Sequence, residues 1–167
     1  YSKYAGATVV KPNLKEFNQA TGLSCHPSEP DFQDRLREGA TRLFERYGIR
    51  NLLVTLSEYG MAFVSAAHPD EVFRIPTEAR EVFDVSGAGD TSLATFGASL
   101  AAGADIQDAM KLANIASGVA VGKLGTSCVT APEILDALSR RRSSTGLGWK
   151  QKNKIVSRRE AAAIAAQ

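Results

Sequence analysis

The stretch Asp84-Val85-Ser86-Gly87-Ala88-Gly89-Asp90 joins a strand-like run to a helical segment rich in small residues. Its turn, Gly87 to Gly89, carries little side-chain bulk, so the backbone N–H groups can approach an anion closely. The helix predicted to begin at Asp90 adds the positive end of its dipole at the same point. Asp90 itself is either an N-cap that pairs with these amides or a base that accepts a proton from an attacking hydroxyl. An anion cradle beside a potential base indicates phosphoryl transfer.

Two widespread nucleotide motifs are excluded by the same residues. Only Gly87 and Gly89 are present, so the Gly-x-Gly-x-x-Gly fingerprint of dinucleotide-binding folds is absent. No Gly-Lys-Ser or Gly-Lys-Thr follows the turn, so the turn is not a Walker A loop.

The composition is that of an ordinary globular chain. Of 167 residues, 44% are hydrophobic and 23% are charged, and the formal net charge is +2. Cys25 and Cys128 have neither disulfide-framework nor zinc spacing and fit a reducing cytosol, so a cytoplasmic protein is expected. No apolar stretch approaches the ~20 residues that span a membrane, and no signal peptide follows Tyr1, where the chain looks cut from a longer protein. The basic residues of 140–159 are interpreted as a solvated linker, so neither a membrane nor a nucleic acid is an expected partner.

Apolar runs alternate with segments of helical periodicity along the chain. The alternation predicts an α/β fold with a mostly parallel sheet flanked by helices, in which 61–65 and 72–75 form an antiparallel edge. The predicted strands are 7–10, 52–54, 61–65 and 72–75, and the predicted helices are 13–20, a segment capped by Ser28 and ended by Gly48, 90–102, 105–121 and 132–142. Residues 1–142 are expected to form the globular part, and 143–167 a linker with a helix candidate at 157–167.

Asn13-Leu14-Lys15-Glu16 follows the first predicted strand, at the carboxyl end where α/β sheets place ligands. Asn13 and Glu16 are three apart in a helical turn and can order magnesium-bound water near a triphosphate. Spacing alone favours the simpler alternative, in which Asn13 is an N-cap and Glu16 completes a capping box.

Two further turns are candidates for contact with a ligand. Thr55-Leu56-Ser57-Glu58-Tyr59-Gly60 follows the second strand, and its hydroxyl and glycine could contact a phosphate or a ribose; a plain hairpin turn explains it equally well. Lys123-Leu124-Gly125-Thr126-Ser127 ends a helix of small residues, and a loop there could close over a bound base or ion.

These four motifs, in this order, resemble the ribokinase/PfkB family of sugar kinases over about residues 5–142. The stretch from Asp84 to Asp90 matches the C-terminal signature of that family, a highly specific pattern. Thr95 departs from the usual Gly or Ala, and Ser57 stands where a glycine is usual. The resemblance implies a ribokinase-like fold, of which this chain holds the C-terminal portion, without the half that contacts the sugar.

The resemblance also implies roles for individual residues. Asp90 corresponds to the catalytic base, and the amides of Gly87, Ala88 and Gly89 to the anion hole. It assigns Asn13 and Glu16 to the magnesium/phosphate motif, against the preference from spacing. The implied nucleotide-binding residues are Asn13, Leu14, Lys15, Glu16, Thr55, Ser57, Gly60 and Asn114, with Asn114 beside the adenine. A monovalent cation, K⁺, would be held at Asp84, Ser86, Ala120, Lys123 and Gly125.

Within the family, three stretches look most like the heptose-7-phosphate kinase domains of bifunctional enzymes of Gram-negative bacteria. They are Lys-Pro-Asn-Leu-Lys-Glu-Phe at 11–17, Phe-Asp-Val-Ser-Gly-Ala-Gly-Asp-Thr at 83–91 and Val-Gly-Lys-Leu-Gly-Thr-Ser at 121–127. The resemblance implies ATP- and Mg²⁺-dependent phosphorylation of D-glycero-β-D-manno-heptose 7-phosphate to the 1,7-bisphosphate, for ADP-heptose and lipopolysaccharide core synthesis. ATP and a sugar phosphate are the expected small-molecule partners, and the full-length protein is expected to be a homo-oligomer. Two alternatives remain, namely another PfkB carbohydrate kinase and a non-catalytic nucleotide-binding module. The residues alone do not choose the acceptor sugar.

Overall fold

The computed structural model describes residues 1–78 and 84–144, in which five segments fold as α-helices and three as β-strands. The helices are α1 (Leu14–Thr21), α2 (Phe32–Tyr47), α3 (Ala88–Ala101), α4 (Ile106–Val121) and α5 (Ala131–Ser144), and the strands are β1 (Asn51–Thr55), β2 (Met61–Ser65) and β3 (His68–Ile75). Short 3₁₀ turns lie at Ser2–Tyr4 and Ser57–Tyr59.

The three strands form one antiparallel sheet in the order β1-β2-β3. Asn51 pairs with Ser65 at one end of the β1–β2 ladder, and Met61 pairs with Ile75 at one end of the β2–β3 ladder. The predicted strand 7–10 instead appears as an extended segment with two parallel bridges to β1, Val10 to Leu52 and Asn13 to Thr55. Among the described residues, parallel pairing is therefore confined to this segment, whereas the antiparallel edge at β2 and β3 is confirmed.

Alternation along the strands builds a hydrophobic core on each face of the sheet. Leu52 and Val54 of β1 join a cluster with α1 and α2, whereas Leu53 joins a second cluster with α3 and α4. In the second cluster the rings of Phe63 and Phe96 lie 5.8 Å apart, a distance typical of aromatic pairs. The sheet is thus the middle layer between two layers of helices, and its bridged edge carries the 10–13 segment.

Two helix starts differ from the predictions. α2 begins at Phe32 after Asp31, and Ser28 does not cap it; the Ser28 hydroxyl donates to Tyr59 Oη instead, at 3.1 Å. α3 begins at Ala88 with Gly87 as its N-cap, two residues before the predicted start, because Gly87 adopts φ 78°, which glycine takes without strain. α5 extends to Ser144, two residues into the predicted linker.

Two predicted features lie outside the described residues. The strand-like run that precedes Asp84 falls in 79–83, and most of the predicted linker, together with the helix candidate at 157–167, falls in 145–167. None of the helices in the described ranges combines the length and the apolarity that crossing a bilayer requires.

Candidate active site

The segment from Lys11 to Glu16 is fixed by backbone bonds to β1. Leu53 N–H donates to Val10 O and Thr55 N–H donates to Pro12 O, both at 3.0 Å. Asn13 then caps α1: its side-chain oxygen accepts from Glu16 N–H, and Glu16 Oε2 accepts from Asn13 N–H, both at 2.8 Å. The capping box that spacing favoured is therefore present.

The capping box leaves part of both side chains available for a ligand. Asn13 and Glu16 are exposed, and the box engages one oxygen of each. Glu16 Oε1 and the Asn13 amide nitrogen make no hydrogen bond within the described ranges. Their assignment to a magnesium/phosphate motif stays a prediction, and the cap fixes their orientation at the sheet edge.

The turn after β1 has a backbone that glycine would ordinarily supply. Ser57 is the one non-glycine residue with positive φ in the described ranges, at 53°, and Gly60 has φ 89°. A Cβ on Gly60 would lie 2.0 Å from the carbonyl oxygen of Ile75, so no other residue fits there. Because Thr55 bridges Asn13, this turn lies beside the Asn13–Glu16 motif.

The first turn of α3 presents free amide groups. Ala88 N–H donates to Val85 O at 3.3 Å, and the N-cap Gly87 has no side chain to accept from the turn. The N–H groups of Gly89 and Asp90 have no acceptor among residues 1–78 and 84–144. Orphan N–H groups and the positive end of the helix dipole make this turn able to bind an anion.

Asp90 is exposed and occupies the third position of α3. It is therefore not the N-cap, the alternative that the sequence left open. An exposed carboxylate one residue from a free amide is available to accept a proton from a bound hydroxyl.

Asp84 ties the glycine turn to the loop that follows α4. Its Oδ1 accepts from Ser86 N–H at 2.8 Å and its Oδ2 from Gly125 N–H at 3.2 Å. Hydrogen bonds from Ser86, and then that from Gly125, hold the pKa of the Asp84 carboxyl below its ordinary value. Asp84 therefore contacts both Ser86 and Gly125, two of the other residues predicted to hold a monovalent cation.

The other two predicted cation residues are Ala120, in the last turn of α4, and Lys123, in the loop that follows it. Ala120 O accepts from Lys123 N–H at 3.1 Å, and Lys123 Nζ donates to Cys128 O at 2.7 Å and pairs with Glu133 Oε1 at 2.6 Å. The Lys123 side chain is thus occupied in fastening the loop to α5, which leaves its backbone carbonyl as the group available to a cation.

Two side chains approach the glycine turn closely from other motifs. A Cβ on Gly87 would lie 2.9 Å from Thr126 Cγ2, and a Cβ on Gly89 would lie 2.7 Å from Lys11 Nζ. Both glycines therefore make room for a neighbour as well as for an anion. Lys11 was not among the predicted site residues. Successive side chains of an extended segment point to opposite faces, so the apolar Val10 on one face could have indicated that Lys11 points to the other.

Asn114 lies on α4 and is buried, at 4% exposure. Its amide donates to Pro76 O at 2.6 Å, so it connects α4 to the backbone just beyond β3. Its role beside an adenine stays a prediction. The glycine turn, the extended segment and the loop after α4 lie at one edge of the sheet. Asn114 is buried, as are two other predicted site residues, Gly60 and Ala120.

Magnesium fits this edge only as an ion that retains most of its water. Within 1–78 and 84–144 no three His, Cys, Asp or Glu side chains cluster as a metal-binding group. Magnesium commonly takes one or two carboxylates, with water and phosphate oxygens completing the octahedron. Glu16, with Asn13, matches that partial donor set.

A separate groove of about 470 Å³ lies between α4 and α5. Acidic and basic side chains both line it, among them Glu133, Asp136 and Arg140. None of the predicted site residues contributes to its walls, so we assign it no part in the chemistry.

Residues 1–133 match the pfkB family of carbohydrate kinases. The chain belongs to this family. The match covers every motif described above, including the turn at the start of α3 and the loop that contacts it. The family is one of carbohydrate kinases.

Its curated relatives include proteins named bifunctional protein HldE. The chain is 46% identical over 146 residues to that of Pelobacter propionicus, covering 87% of this chain and 28% of the relative. It is 44% identical over 146 residues to that of Paramagnetospirillum magneticum, again covering 87% and 28%. The chain thus spans less than a third of the length of these relatives.

Solved structures confirm the ribokinase-like fold. Phosphofructokinase-2 from Escherichia coli in complex with potassium superposes with TM-score 0.67 at 18% identity, covering 83% of this chain and 42% of that one. Ribokinase from Arabidopsis thaliana complexed with ribose and ATP gives TM-score 0.67 at 23% identity, covering 78% and 40%. The fold class that the motifs predicted is therefore correct.

Proposed function

We propose that this chain carries the ATP-binding and catalytic-base part of a sugar-phosphate kinase. The acceptor we propose is D-glycero-β-D-manno-heptose 7-phosphate, phosphorylated at its anomeric hydroxyl to the 1,7-bisphosphate for ADP-heptose and lipopolysaccharide core synthesis. The observation that carries the proposal is the first turn of α3. It combines free amides at Gly89 and Asp90 with the exposed Asp90 carboxylate.

The chemistry follows from the two functions of that turn. Asp90 accepts the proton of the sugar hydroxyl as the oxygen forms a bond to the γ-phosphorus of ATP. The bond from that phosphorus to the β–γ bridging oxygen breaks, and ADP leaves with the electron pair. The anion hole implied by the resemblance comprises the amides of Gly87, Ala88 and Gly89, but Ala88 N–H already donates to Val85 O at 3.3 Å. The amide of Gly89, together with that of Asp90, is the group that would stabilise negative charge on the phosphoryl oxygens during transfer.

The remaining predicted residues position the nucleotide. Asn13 and Glu16 would hold Mg²⁺ through water, and the metal would neutralise charge on the phosphate oxygens. Leu14 and Lys15 accompany them on the first turn of α1, while Thr55, Ser57 and Gly60 shape the neighbouring turn. Asn114 is proposed to lie near the adenine, and K⁺ to bind at Asp84, Ser86, Ala120, Lys123 and Gly125.

The heptose assignment is supported by the relatives named HldE, which are 40–46% identical to this chain. A cytoplasmic location and a homo-oligomeric full-length protein complete the proposal. Phosphofructokinase-2 from E. coli has been solved in a tetrameric inhibited form, although that likeness, at 17% identity, concerns the fold.

A second candidate is a nucleotide-binding module without catalysis. It would use the same free amides at the start of α3 to hold a nucleotide phosphate, with no transfer to an acceptor.

A thermal-shift titration with ATP, with and without Mg²⁺, tests both candidates. We expect ATP to raise the unfolding midpoint and Mg²⁺ to strengthen the effect, since ligands that bind only the native state stabilise it. A parallel acceptor screen should show transfer to the heptose phosphate in the full-length protein. ATP binding without any transfer there would favour the module, and a midpoint unmoved by saturating ATP would contradict both candidates.

A further inference from the structure

We propose that Tyr59 is a positioning residue for the nucleotide, because its contact with the loop at 24–31 sets the turn after β1 relative to the first turn of α1. The inference rests on the proposed function and deepens it, since both of these segments are proposed to hold ATP. It adds Ser28, a residue outside all of the predicted motifs, to the parts on which nucleotide binding depends.

The turn from Thr55 to Gly60 adopts a conformation that its own sequence does not favour. Ser57 has φ 53°, in the left-handed region. Strained backbone of this kind persists only where the surrounding contacts over-determine it. Gly60 supplies one such contact, because its Cα lies against the backbone of Ile75 at the end of β3. Tyr59 supplies another through its side chain.

The Tyr59 side chain leaves the turn and reaches the loop at 24–31. Its hydroxyl oxygen accepts from Ser28 Oγ at 3.1 Å. Its ring centroid lies 5.6 Å from that of His26 at an interplanar angle of 75°, which is an edge-to-face pair. His26 Nδ1 accepts from Ser28 N–H at 3.3 Å, so the two residues that contact the tyrosine are joined to each other.

The loop at 24–31 is in turn bound to α1. Both polar atoms of the Asn18 side chain engage the backbone of Cys25. The amide nitrogen donates to Cys25 O and the oxygen accepts from Cys25 N–H, each at 3.1 Å. Asn18 lies on the helix whose first turn carries Glu16, with Asn13 as its N-cap. The loop and the predicted magnesium/phosphate motif are therefore held on one helix.

Two arginines fix the rest of the loop. Arg74 of β3 donates from Nη1 to Pro27 O at 3.3 Å. Arg35 of α2 donates to Ser24 O and to the Asp31 carboxylate, both at 2.7 Å. Because α1, α2 and β3 all hold the loop, it is a fixed support for the side chain that the turn extends to it.

These contacts connect the two proposed nucleotide-binding segments by a second route. The first route is the bridge between Asn13 and Thr55, where the turn begins. The second leads from α1 through Cys25 and Ser28 to Tyr59, where the turn ends. A triphosphate that contacts both segments needs them at one fixed separation. Tyr59 therefore reduces the cost of ordering the turn when ATP binds, without touching the nucleotide.

Calorimetric titration with ATP and Mg²⁺ tests this role. Tyr59→Phe and Ser28→Ala each remove one side of the hydrogen bond. Each should raise the dissociation constant about two- to tenfold, the range for one neutral hydrogen bond. The double variant should show no larger loss than either single variant, because all three lose the same bond. Ser28→Thr keeps a hydroxyl and should retain most of the affinity.

Two matched controls separate positioning from general effects of substitution. Ser24→Ala alters an exposed serine of the same loop, whose hydroxyl makes no hydrogen bond within the described ranges. Tyr47→Phe removes a hydroxyl from the last turn of α2. Both should leave the affinity for ATP unchanged. Unfolding curves establish that each variant is folded at the titration temperature, where a purely structural contribution would not alter the dissociation constant.

The outcomes separate the two levels of the proposal. Additive losses for Tyr59→Phe and Ser28→Ala, or unchanged affinity in both, would overturn the role of Tyr59 and leave the proposed function standing. Failure of the unaltered protein to bind ATP would overturn the proposed function and, with it, the role of Tyr59.

Discussion

Ser57 adopts a backbone conformation that is costly for a residue with a Cβ. Its φ of 53° lies in the left-handed region, which favours glycine. The turn is maintained nonetheless, because Leu56 N–H donates to Gly60 O at 2.8 Å and Gly60 N–H to Ser57 O at 3.1 Å. The serine therefore reproduces the glycine geometry at an energetic cost.

Ser57→Gly should therefore stabilise the protein. Relief of left-handed strain, about 1–2 kcal/mol, outweighs the greater freedom of glycine in the unfolded chain, for a net gain of about 0.5–1 kcal/mol. Chemical denaturation would measure the change in the free energy of unfolding. The exposed Ser24, which lacks a positive φ, is the matched control, and Ser24→Gly should be neutral or destabilising. A loss of stability in Ser57→Gly would refute the strain argument.

Individual site residues were predictable to different degrees. The sequence correctly suggested that Asn13 and Glu16 form a capping box, because an N-cap pattern is local. It left Asp90 between cap and base, since the positive φ of Gly87 moves the helix start and cannot be derived from spacing. Lys11 was missed because its contact with Gly89 joins two segments that are distant in the chain.

At the scale of elements, the loop after α4 is fastened to the start of α5 by one carboxylate. Glu133 Oε2 accepts from Thr130 N–H at 2.8 Å and from Thr130 Oγ1 at 2.9 Å, and Oε1 pairs with Lys123. The hydrogen bond from Lys123, followed by those from Thr130, lowers the pKa of Glu133 from 4.5 to about 2. Because the same loop donates Gly125 N–H to Asp84, this fastening supports the glycine turn.

The lowered pKa predicts a loss of stability in acid. A carboxyl group whose pKa is lower in the folded state stabilises the fold fully above its unfolded pKa, near 4.5, and progressively less as the pH falls toward 2. The unfolding midpoint of the unaltered protein should therefore fall more steeply across this window than that of Glu133→Gln. Substitution of the exposed Glu45 on α2 by Gln is the control and should keep the steep fall. Parallel curves for the unaltered protein and Glu133→Gln would contradict the assignment.

Helices and strands were largely predictable, whereas their boundaries were not. α1 and its ending at Gly22 follow from local cap signals, and the hairpin of β2 and β3 from alternation. The start of α2 was misplaced because two cap candidates, Ser28 and Asp31, are three residues apart, and Ser28 is instead engaged by Tyr59. Such a choice depends on tertiary contacts that a local pattern does not contain.

At the scale of the whole molecule, two cores on a central sheet bring four separated motifs to one edge. The fold class was predictable because the motifs are specific to one family. The antiparallel character of the described sheet was only partly predictable, since short apolar runs do not encode the direction of pairing. Of the residues of α3, only Ser92 and Phe96 are buried, and the others are half-buried or exposed, with Leu93 at 38% exposure. One face of α3 thus packs on the sheet, while the first turn stays open at the edge that carries the candidate site.

The central claim is that Asp90 is the base beside an anion-binding turn, and the most direct test is Asp90→Asn in the intact enzyme. Turnover with the heptose 7-phosphate and ATP affinity would be measured together for the variant and the unaltered enzyme. The amide cannot accept the hydroxyl proton, so kcat should fall about 10²- to 10⁴-fold, the usual contribution of a general base, while the dissociation constant for ATP changes little. Near-normal turnover in Asp90→Asn would contradict the account.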